Sequence, residues 1–306
     1  MIADPIRLAV VGLGAMGTRM LTAALAHPDF TVVAGVDVAP RTLDVPVVTN
    51  LDDVLSDVDA VYVSTPPASH AELTTKAFQA GKAVFCEKPL AVDLAEARTM
   101  AEAAQGRPNA VNFALSDMVA TVEIERRLPE LGTLRGVEIR LQFPRWPRAF
   151  QAEATWLSRS EQGGFVREVL SHFVYLTDRM LGPLTVESVS SDFPEPGAAE
   201  VAARGVLRGS GVPVHVSAFS GLAGPEIYEW TAWGTERSLR LDQWALLSTS
   251  DGGAWEPVPL EQTGSDYSRL TLFAQAVRGE RPRDLADFAS GLRVAEVIEA
   301  FLRQTA

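Results

Sequence analysis

Residues 6–17 read IRLAVVGLGAMG, an apolar run rich in branched side chains followed by glycines at positions 12, 14 and 17. The apolar run is typical of a strand covered on both faces, and the segment Ala15 to Ala26 has a helical pattern. Glycines between such elements permit a tight turn, a close approach of backbone to a pyrophosphate and close helix packing. The stretch therefore predicts a dinucleotide-binding unit whose loop contacts come from Gly12, Gly14, Ala15, Met16 and Gly17.

Asp37 supplies the second part of this pattern. It ends the next predicted strand, Thr31 to Asp37, about 20 residues after Gly17. A carboxylate in this position accepts hydrogen bonds from the adenosine ribose hydroxyls and repels a 2′-phosphate, which favours NAD as the cofactor. Arg41 is suited to pair with that phosphate, so NADP stays open as the alternative.

The arrangement of strand-like and helical patterns changes near Ala114. Before it, short buried strands alternate with helices, which predicts an α/β Rossmann domain with a parallel sheet over residues 1–114. After it, strand-like runs such as VPVHVSAFS follow one another with turn residues between them. This half, residues 115–306, is predicted as an α+β domain with a large open antiparallel sheet. Its C-terminal helix is a candidate to pack back on the Rossmann domain.

Composition excludes several classes of protein. The 306 residues carry 39 acidic and 27 basic side chains and a net charge of −12, which argues against nucleic-acid binding. No apolar stretch is long enough for a membrane span, and the N-terminus lacks the features of a signal peptide, so we expect a soluble cytoplasmic protein. The single Cys86 and four dispersed histidines predict neither a disulfide nor a metal site.

Residues 64–90 read STPPASHAELTTKAFQAGKAVFCEKPL. Together with the glycine loop, this segment resembles the Gfo/Idh/MocA family of glucose-fructose oxidoreductase, inositol dehydrogenase and their relatives, because the TPP turn, the histidine and EKP occur in the family's order and spacing. The resemblance continues in the second half, where Trp156, Gly163-Gly164 and His172 match the family's W…GGG…D-x-G-x-H pattern. It implies a Rossmann domain followed by a domain with a large open antiparallel sheet.

The resemblance also implies roles for residues of the first domain. Lys88 would be the EKP lysine that lies between the nicotinamide and the reacting substrate carbon, and Glu87 would lie near the nicotinamide ribose. Thr65, Pro66 and His70 would line the cofactor cleft. Chemistry supports the role of Lys88 independently, since a lysine at the end of a parallel strand faces the ligand crevice and its ammonium stabilises an alkoxide-like oxygen.

Glu168 and His172 are four residues apart in GGFVREVLSHFVYLTDRML, so on a helix they share one face. Histidine titrates near neutral pH, and we expect His172 to act as the general acid/base that accepts or returns a hydroxyl proton. Glu168 stands where the family has Asp and would orient the imidazole or share a proton relay with Lys88.

Two departures from the family pattern bear on the substrate. Leu170 replaces a glycine before the histidine, and Tyr175 replaces an aspartate after it. Both changes favour a substrate that is flatter or more apolar than a sugar. Asn112, at the end of the last predicted Rossmann strand, is expected to donate a hydrogen bond to the substrate, and Trp156 and Tyr175 are further candidates for substrate contact.

The sequence thus predicts an NAD(P)-dependent oxidoreductase that transfers hydride between the nicotinamide and a carbinol or carbonyl carbon of a small metabolite. A sugar, a cyclitol and a less polar keto or imine compound are the candidate substrates. The alternatives are a redox-neutral NAD-dependent glycosidase and a dinucleotide-sensing binding protein, although a sensor would need neither Lys88 nor His172. From the resemblance and the open sheet we expect a homodimer or homotetramer.

Overall fold

A computed structural model describes residues 4–260 and 264–303 of the chain. Contacts divide the chain into two units, Met1–Phe113 with Ser265–Leu292 and Ala114–Gly264 with Arg293–Ala306. The sequence predicted one break at residues 114/115, and the structure adds that a late segment groups with the first unit. Within the described ranges, no helix is long and apolar enough to cross a membrane.

Unit 1 contains a six-stranded sheet in which every neighbouring pair is parallel, with the order β3-β2-β1-β4-β5-β6. Apart from the exposed Arg7, the central strands consist of buried residues, because helices cover both faces of such a sheet. The strands are β1 Ile6–Val11, β2 Phe30–Val36, β3 Val47–Val48, β4 Ala60–Val63, β5 Ala83–Cys86 and β6 Asn109–Val111. The helices of the first part are α1 Ala15–Leu25, α2 His70–Gln79 and α3 Leu94–Ala103.

Helix boundaries in unit 1 follow from local chemistry. Asp93 is the N-cap of α3, as the sequence predicts, and its carboxylate accepts hydrogen bonds from the backbone N–H groups of Ala95 and Glu96 at 2.8 and 3.1 Å. α2 ends before Gly81, whose φ of +75° is a conformation that glycine adopts readily. The turn at Gly81 thus leads into the amino end of β5, and the Asp93 cap begins α3 after the loop at the carboxyl end of that strand.

A helix from the end of the chain completes the core of unit 1. This helix, α6 (Asp266–Val277), contributes Leu270, Phe273 and Ala274 to the apolar cluster around β1, β2 and β5. The ring of Phe273 lies 5.2 Å from that of Phe85 and 6.4 Å from that of Phe30. The first 113 residues therefore do not form their core alone.

Unit 2 contains an eight-stranded sheet in the order β14-β13-β12-β11-β7-β10-β9-β8. All neighbouring pairs are antiparallel except β7 and β10, which are parallel. The exception arises because β8, β9 and β10 follow one another as hairpins and β10 then lies beside β7 in the same direction. The strands are β7 Leu134–Phe143, β8 Leu184–Asp192, β9 Ala202–Gly209, β10 Val212–Ser220, β11 Ile227–Gly234, β12 Ser238–Asp242, β13 Leu246–Ser250 and β14 Glu256–Pro257.

The helix predicted across the Glu168 and His172 segment is not uniform. A π-helical turn, Val166–Leu170, precedes α5 (Ser171–Leu181), so the two side chains are not related by a regular α-helical turn. The remaining helices are α4 Val119–Arg127 and α7 Phe288–Leu302, of which α7 contributes residues to both units.

Candidate functional site

The glycine loop after β1 combines two glycines that the fold requires with one that it does not. A Cβ on Gly12, whose φ is +85°, would lie 2.7 Å from the Thr65 nitrogen, and a Cβ on Gly17 would lie 1.8 Å from the Gly12 oxygen. A Cβ on Gly14 would meet no atom within 4 Å, and Gly14, Ala15 and Met16 are exposed. Open space at the start of α1 is a cradle for an anionic group, because the helix N-terminus presents unpaired N–H groups there.

Asp37 is fixed beside this cradle by backbone donors. Its Oδ2 accepts a hydrogen bond from Leu13 N–H and its Oδ1 one from Ala39 N–H, each at 2.8 Å. The Arg41 Nε lies 3.8 Å from Asp37 Oδ2, and about half of the Arg41 side chain is exposed. Each carboxylate oxygen retains acceptor capacity, so the Asp37 side chain is available to ribose hydroxyls.

A buried polar network joins the carboxyl ends of three adjacent strands. Glu87 Oε1 accepts hydrogen bonds from Tyr62 Oη and from Asn112 Nδ2, the latter at 2.6 Å. Burial, reinforced by the Glu87 charge, raises the pKa of Tyr62. The Asn112 Oδ1 is buried without a hydrogen-bond partner in the described structure. The amide N–H predicted to serve the substrate is thus used within the protein, and the acceptor oxygen is what Asn112 offers a ligand.

His70 lies in the interior, between the TPP and EKP turns. Its Nε2 is 2.9 Å from the Thr65 carbonyl oxygen and its Nδ1 is 3.0 Å from that of Pro89, and the residue has no exposed surface. Burial lowers the pKa of the imidazole. His70 therefore links the two turns that carry Thr65, Pro66 and the half-buried Lys88, while its predicted contact with the cofactor stays a prediction.

In unit 2, His172 lies in the first turn of α5 and is buried. Its Nδ1 accepts a hydrogen bond from the backbone N–H of Ala114 at 3.1 Å. The Trp244 ring packs edge-on against the imidazole, with ring centroids 5.2 Å apart and planes at 81°. One side of the imidazole is therefore fixed by the protein itself.

Glu168 contacts the loop that follows β7. Gln151 Nε2 donates a hydrogen bond to Glu168 Oε1 at 2.9 Å, and the Arg148 guanidinium lies 3.6 Å from the same oxygen. Arg148 also donates to Tyr228 Oη at 2.9 Å. The supporting role of Glu168 toward His172 and Lys88 stays a prediction, and the structure adds Arg148 and Gln151 as its partners.

The two glycines before the π-helical turn have a packing function. A Cβ on Gly163 would lie 2.3 Å from the Trp156 carbonyl oxygen, and one on Gly164, with φ of +92°, would lie 2.2 Å from Glu200 Oε2. Glu200 is buried, and its Oε1 accepts a hydrogen bond from Val166 N–H at 2.6 Å. Burial raises the pKa of this carboxyl group. The double glycine thus admits a buried carboxylate at the start of the segment that carries His172.

The remaining predicted residues differ in exposure. Tyr175 and Leu170 are buried and Trp156 is half-buried, so their roles toward a substrate stay predictions. Trp244 was missed, although LDQWALL carries a signal, because it places bulky residues in a three-residue hairpin turn, where glycine is preferred at a positive φ. The structure holds Gln243 and Trp244 at φ of +48° and +71°, and the indole packs on His172.

In the described part of the chain, no group of three or more His, Cys, Asp or Glu side chains is arranged to hold a metal ion. The single cysteine, Cys86, is buried.

Residues 6–114 match the Gfo/Idh/MocA family, described as an oxidoreductase family with an NAD-binding Rossmann fold. Over this segment the chain is similar to that family. Inositol 2-dehydrogenase 1 of Saccharopolyspora erythraea is 40% identical over 117 residues, which cover 33% of this chain and 34% of that protein. A dTDP-3,4-didehydro-2,6-dideoxy-alpha-D-glucose 3-reductase of Streptomyces violaceoruber is 26% identical over 98% of this chain and 95% of its own length.

The whole fold is also found in a solved structure. A 3-ketoreductase from Actinomadura kijaniata, in complex with NADP and TDP-benzene, superimposes with a TM-score of 0.82 over 97% of each chain at 23% identity. The match to an NAD-binding oxidoreductase family and the similarity to a reductase over nearly the full length indicate that this chain is an NAD(P)-dependent oxidoreductase. The open cradle at Gly14 and the fixed carboxylate of Asp37 fit such a dinucleotide.

Proposed function

We propose that this enzyme reduces a keto group, or oxidises the corresponding hydroxyl, on a sugar-like ring. The observation that carries the proposal is that an open dinucleotide cradle and Lys88, two residues after β5, both lie at the sheet edge where ligands of parallel α/β sheets bind. The names of the relatives support a sugar-like substrate, since one is a reductase of a dTDP-linked keto sugar and another is an inositol dehydrogenase.

The chain holds the dinucleotide through its own loop and strand ends. The backbone N–H groups at the start of α1 bind the pyrophosphate, with Gly14 giving them access, and Asp37 accepts hydrogen bonds from the adenosine ribose. Thr65, Pro66 and Glu87 border the nicotinamide half. The bound nicotinamide supplies or accepts the hydride at the substrate carbon.

Lys88 acts on the substrate oxygen. The Lys88 ammonium stabilises the negative charge that develops on this oxygen as the carbonyl is reduced. His172 stays the proposed general acid/base of the reaction. Asn112 offers its buried Oδ1 as an acceptor for an O–H or N–H of the ligand.

The test follows the absorbance of reduced nicotinamide with NAD and NADP, in both directions. The panel contains free sugars, inositols, nucleoside diphosphate keto sugars, simple keto acids and cyclic imines. Lys88→Ala is the test variant, and Lys82→Ala, which precedes the amino end of the same strand, is its matched control. We expect turnover on a sugar-like compound that Lys88→Ala abolishes and Lys82→Ala retains.

Two results would contradict the proposal. Turnover confined to the keto acids or imines would place the substrate outside the sugar class. Cleavage of a glycoside without net change in nicotinamide absorbance would identify a redox-neutral reaction.

A further inference from the structure

Asn112 follows β6 at the carboxyl edge of the parallel sheet of unit 1, and its position is set by two neighbouring strands. Its backbone N–H donates a hydrogen bond to the Cys86 carbonyl oxygen at 2.8 Å, and the residue is 5% exposed. Its side chain turns toward β4 and β5, because Nδ2 lies 2.6 Å from Glu87 Oε1 and 3.4 Å from Tyr62 Oη. The amide group is therefore held at the ends of these strands.

The same contacts fix which way the amide group of Asn112 points. Glu87 Oε1 accepts hydrogen bonds from both Tyr62 Oη and Asn112 Nδ2, so this oxygen has no proton to offer. An amide rotated by half a turn would place Oδ1 against Glu87 Oε1, and two acceptors would then face each other. The observed orientation keeps the donor at Glu87 and directs Oδ1 away from it.

The Asn112 Oδ1 is an acceptor that the described protein leaves unused. It is buried, and residues 4–260 and 264–303 provide no hydrogen-bond partner for it. A buried acceptor without a partner costs free energy, and such a group in a native protein requires an explanation. A hydroxyl group can rotate toward a partner, whereas this amide is held by its own donor group. A ligand that brings an N–H or O–H group supplies the missing partner.

The strand order indicates which part of a dinucleotide reaches Asn112. The pyrophosphate cradle follows β1, and Asp37, which suits the adenosine ribose, follows β2 on one side of it. Strands β4, β5 and β6 lie on the other side, along which the nicotinamide half extends. Neighbouring strands are about 4.8 Å apart, so β5 and β6 lie about 10 and 14 Å from β1. Asn112 is therefore placed for the ring at the end of the dinucleotide rather than for the ribose beside the pyrophosphate.

We propose that Asn112 Oδ1 accepts a hydrogen bond from the carboxamide N–H of the nicotinamide ring. The inference rests on the part of the proposed function that places NAD or NADP on unit 1, and it needs no substrate. It replaces the expectation that Asn112 donates to the substrate, since its Nδ2–H group serves Glu87. An acceptor at the carboxamide restricts rotation of the ring about its bond to the ribose, which orients the ring for hydride transfer.

The first test compares dinucleotides that differ only at the carboxamide. Isothermal titration calorimetry of the full chain uses the preferred one of NAD and NADP and its 3-acetylpyridine analogue, in which a methyl group replaces the amino group of the carboxamide. We expect the wild type to bind the analogue about fivefold more weakly, which is the net effect of one hydrogen bond. A wild type that binds both dinucleotides equally would overturn the inference.

Variants locate the effect at Asn112. Asn112→Ala should bind the parent dinucleotide about fivefold more weakly, and should bind the acetylpyridine analogue and ADP-ribose, which lacks the ring, within about twofold of the wild type. Asn109→Ala is the matched control, because Asn109 lies at the amino end of β6 and its Nδ2 donates to the carbonyl oxygens of residues 104 and 107. The control should keep the wild-type preference for the carboxamide. An Asn112→Ala protein that also keeps this preference would overturn the inference.

The second test observes the Asn112 amide directly and needs no variant. The sequence contains three asparagines, Asn50, Asn109 and Asn112, and Asn112 alone follows a valine, so paired labelling of valine and asparagine with ¹³C and ¹⁵N identifies its signals. We expect the Asn112 ¹³Cγ signal to move downfield when the parent dinucleotide binds, and to move less with the acetylpyridine analogue. Equal shifts with both dinucleotides would contradict a contact with the carboxamide.

The outcomes separate this inference from the proposed function. Binding of neither NAD nor NADP would contradict both. Intact dinucleotide binding without turnover of any carbonyl or hydroxyl compound would contradict the proposed function alone, while the affinity ratio and the ¹³Cγ shift would still decide the role of Asn112.

Discussion

Gly14 and Gly17 have the same side chain but different surroundings. An added Cβ at Gly17 would overlap the Gly12 carbonyl oxygen, whereas one at Gly14 would meet only open space. We expect Gly17→Ala to destabilise the fold by about 1–3 kcal/mol through overpacking. Gly14→Ala should change the unfolding free energy by less than about 1 kcal/mol, yet weaken dinucleotide binding about tenfold because its methyl group enters the cradle.

Thermal unfolding and titration of the intrinsic fluorescence with NADH and NADPH separate the two effects. If Gly14→Ala bound the dinucleotide as tightly as the wild type does, the pyrophosphate would not lie against this part of the loop.

Asp37 and Arg41 are expected to decide the choice between NAD and NADP. The Asp37 carboxylate repels a 2′-phosphate, and the partly exposed Arg41 beside it is able to pair with one. Asp37→Asn should therefore lower the affinity for NADH. The ratio of the NADPH affinity to the NADH affinity should rise by about tenfold, which corresponds to about 1.4 kcal/mol. Arg41→Ala should weaken NADPH binding alone. Equal changes in the two affinities, in either variant, would contradict this division.

At the scale of elements, the sequence predicts those helices and strands that an apolar pattern or a capping residue marks. The strand β5 and the Asp93 N-cap are found as predicted, since a buried apolar run and an Asp before a helical pattern each have one common structural meaning. The π-helical turn 166–170 was not predictable, because one additional residue in a turn leaves the apolar pattern of the segment nearly unchanged. Its consequence is functional, since the predicted pairing of Glu168 with His172 assumed a regular helix.

Glu200 makes the start of this segment sensitive to pH. Burial raises its carboxyl pKa above the ordinary value of 4.5, so the protonated form is favoured in the fold. The associated stability is fully present below the unfolded pKa and is lost as pH rises through the folded pKa. Glu200→Gln keeps an acceptor for Val166 N–H and removes the charge.

The free energy of unfolding of Glu200→Gln minus that of the wild type should therefore increase with pH above about 4.5, by at most about 1.4 kcal/mol per pH unit. Urea unfolding at several pH values measures this difference. The hydrogen bond from Arg208 lowers the pKa of Glu187, so Glu187→Gln should give the opposite slope, and only below about pH 4.5. A difference that is independent of pH would mean that burial does not raise the pKa of Glu200.

For the whole molecule, the sequence predicts a parallel α/β half and a half with consecutive strands. It does not predict how the chain passes between these halves. The parallel pairing of β7 with β10 joins strands about 80 residues apart, and no local pattern encodes it. The same holds for the site: the glycine loop, Asp37 and Lys88 belong to motifs, whereas Trp244 reaches His172 only through the fold of unit 2.

Because α6 packs in the core of unit 1, it bears on which fragment of the chain can fold by itself. Residues 1–114 contain every strand of the parallel sheet, but they lack Leu270 and Phe273, which are fully buried in its core. Removing two such side chains costs about 3–6 kcal/mol, a large part of the 5–15 kcal/mol that stabilises a typical domain. We expect a fragment of residues 1–114 to lack cooperative thermal unfolding and dinucleotide binding. Joining residues 265–292 to it through a Gly/Ser linker should restore both, and Phe273→Ala in the joined protein should reverse the rescue. Cooperative unfolding of the 1–114 fragment, at the temperature of the joined protein, would show that α6 is dispensable for this core.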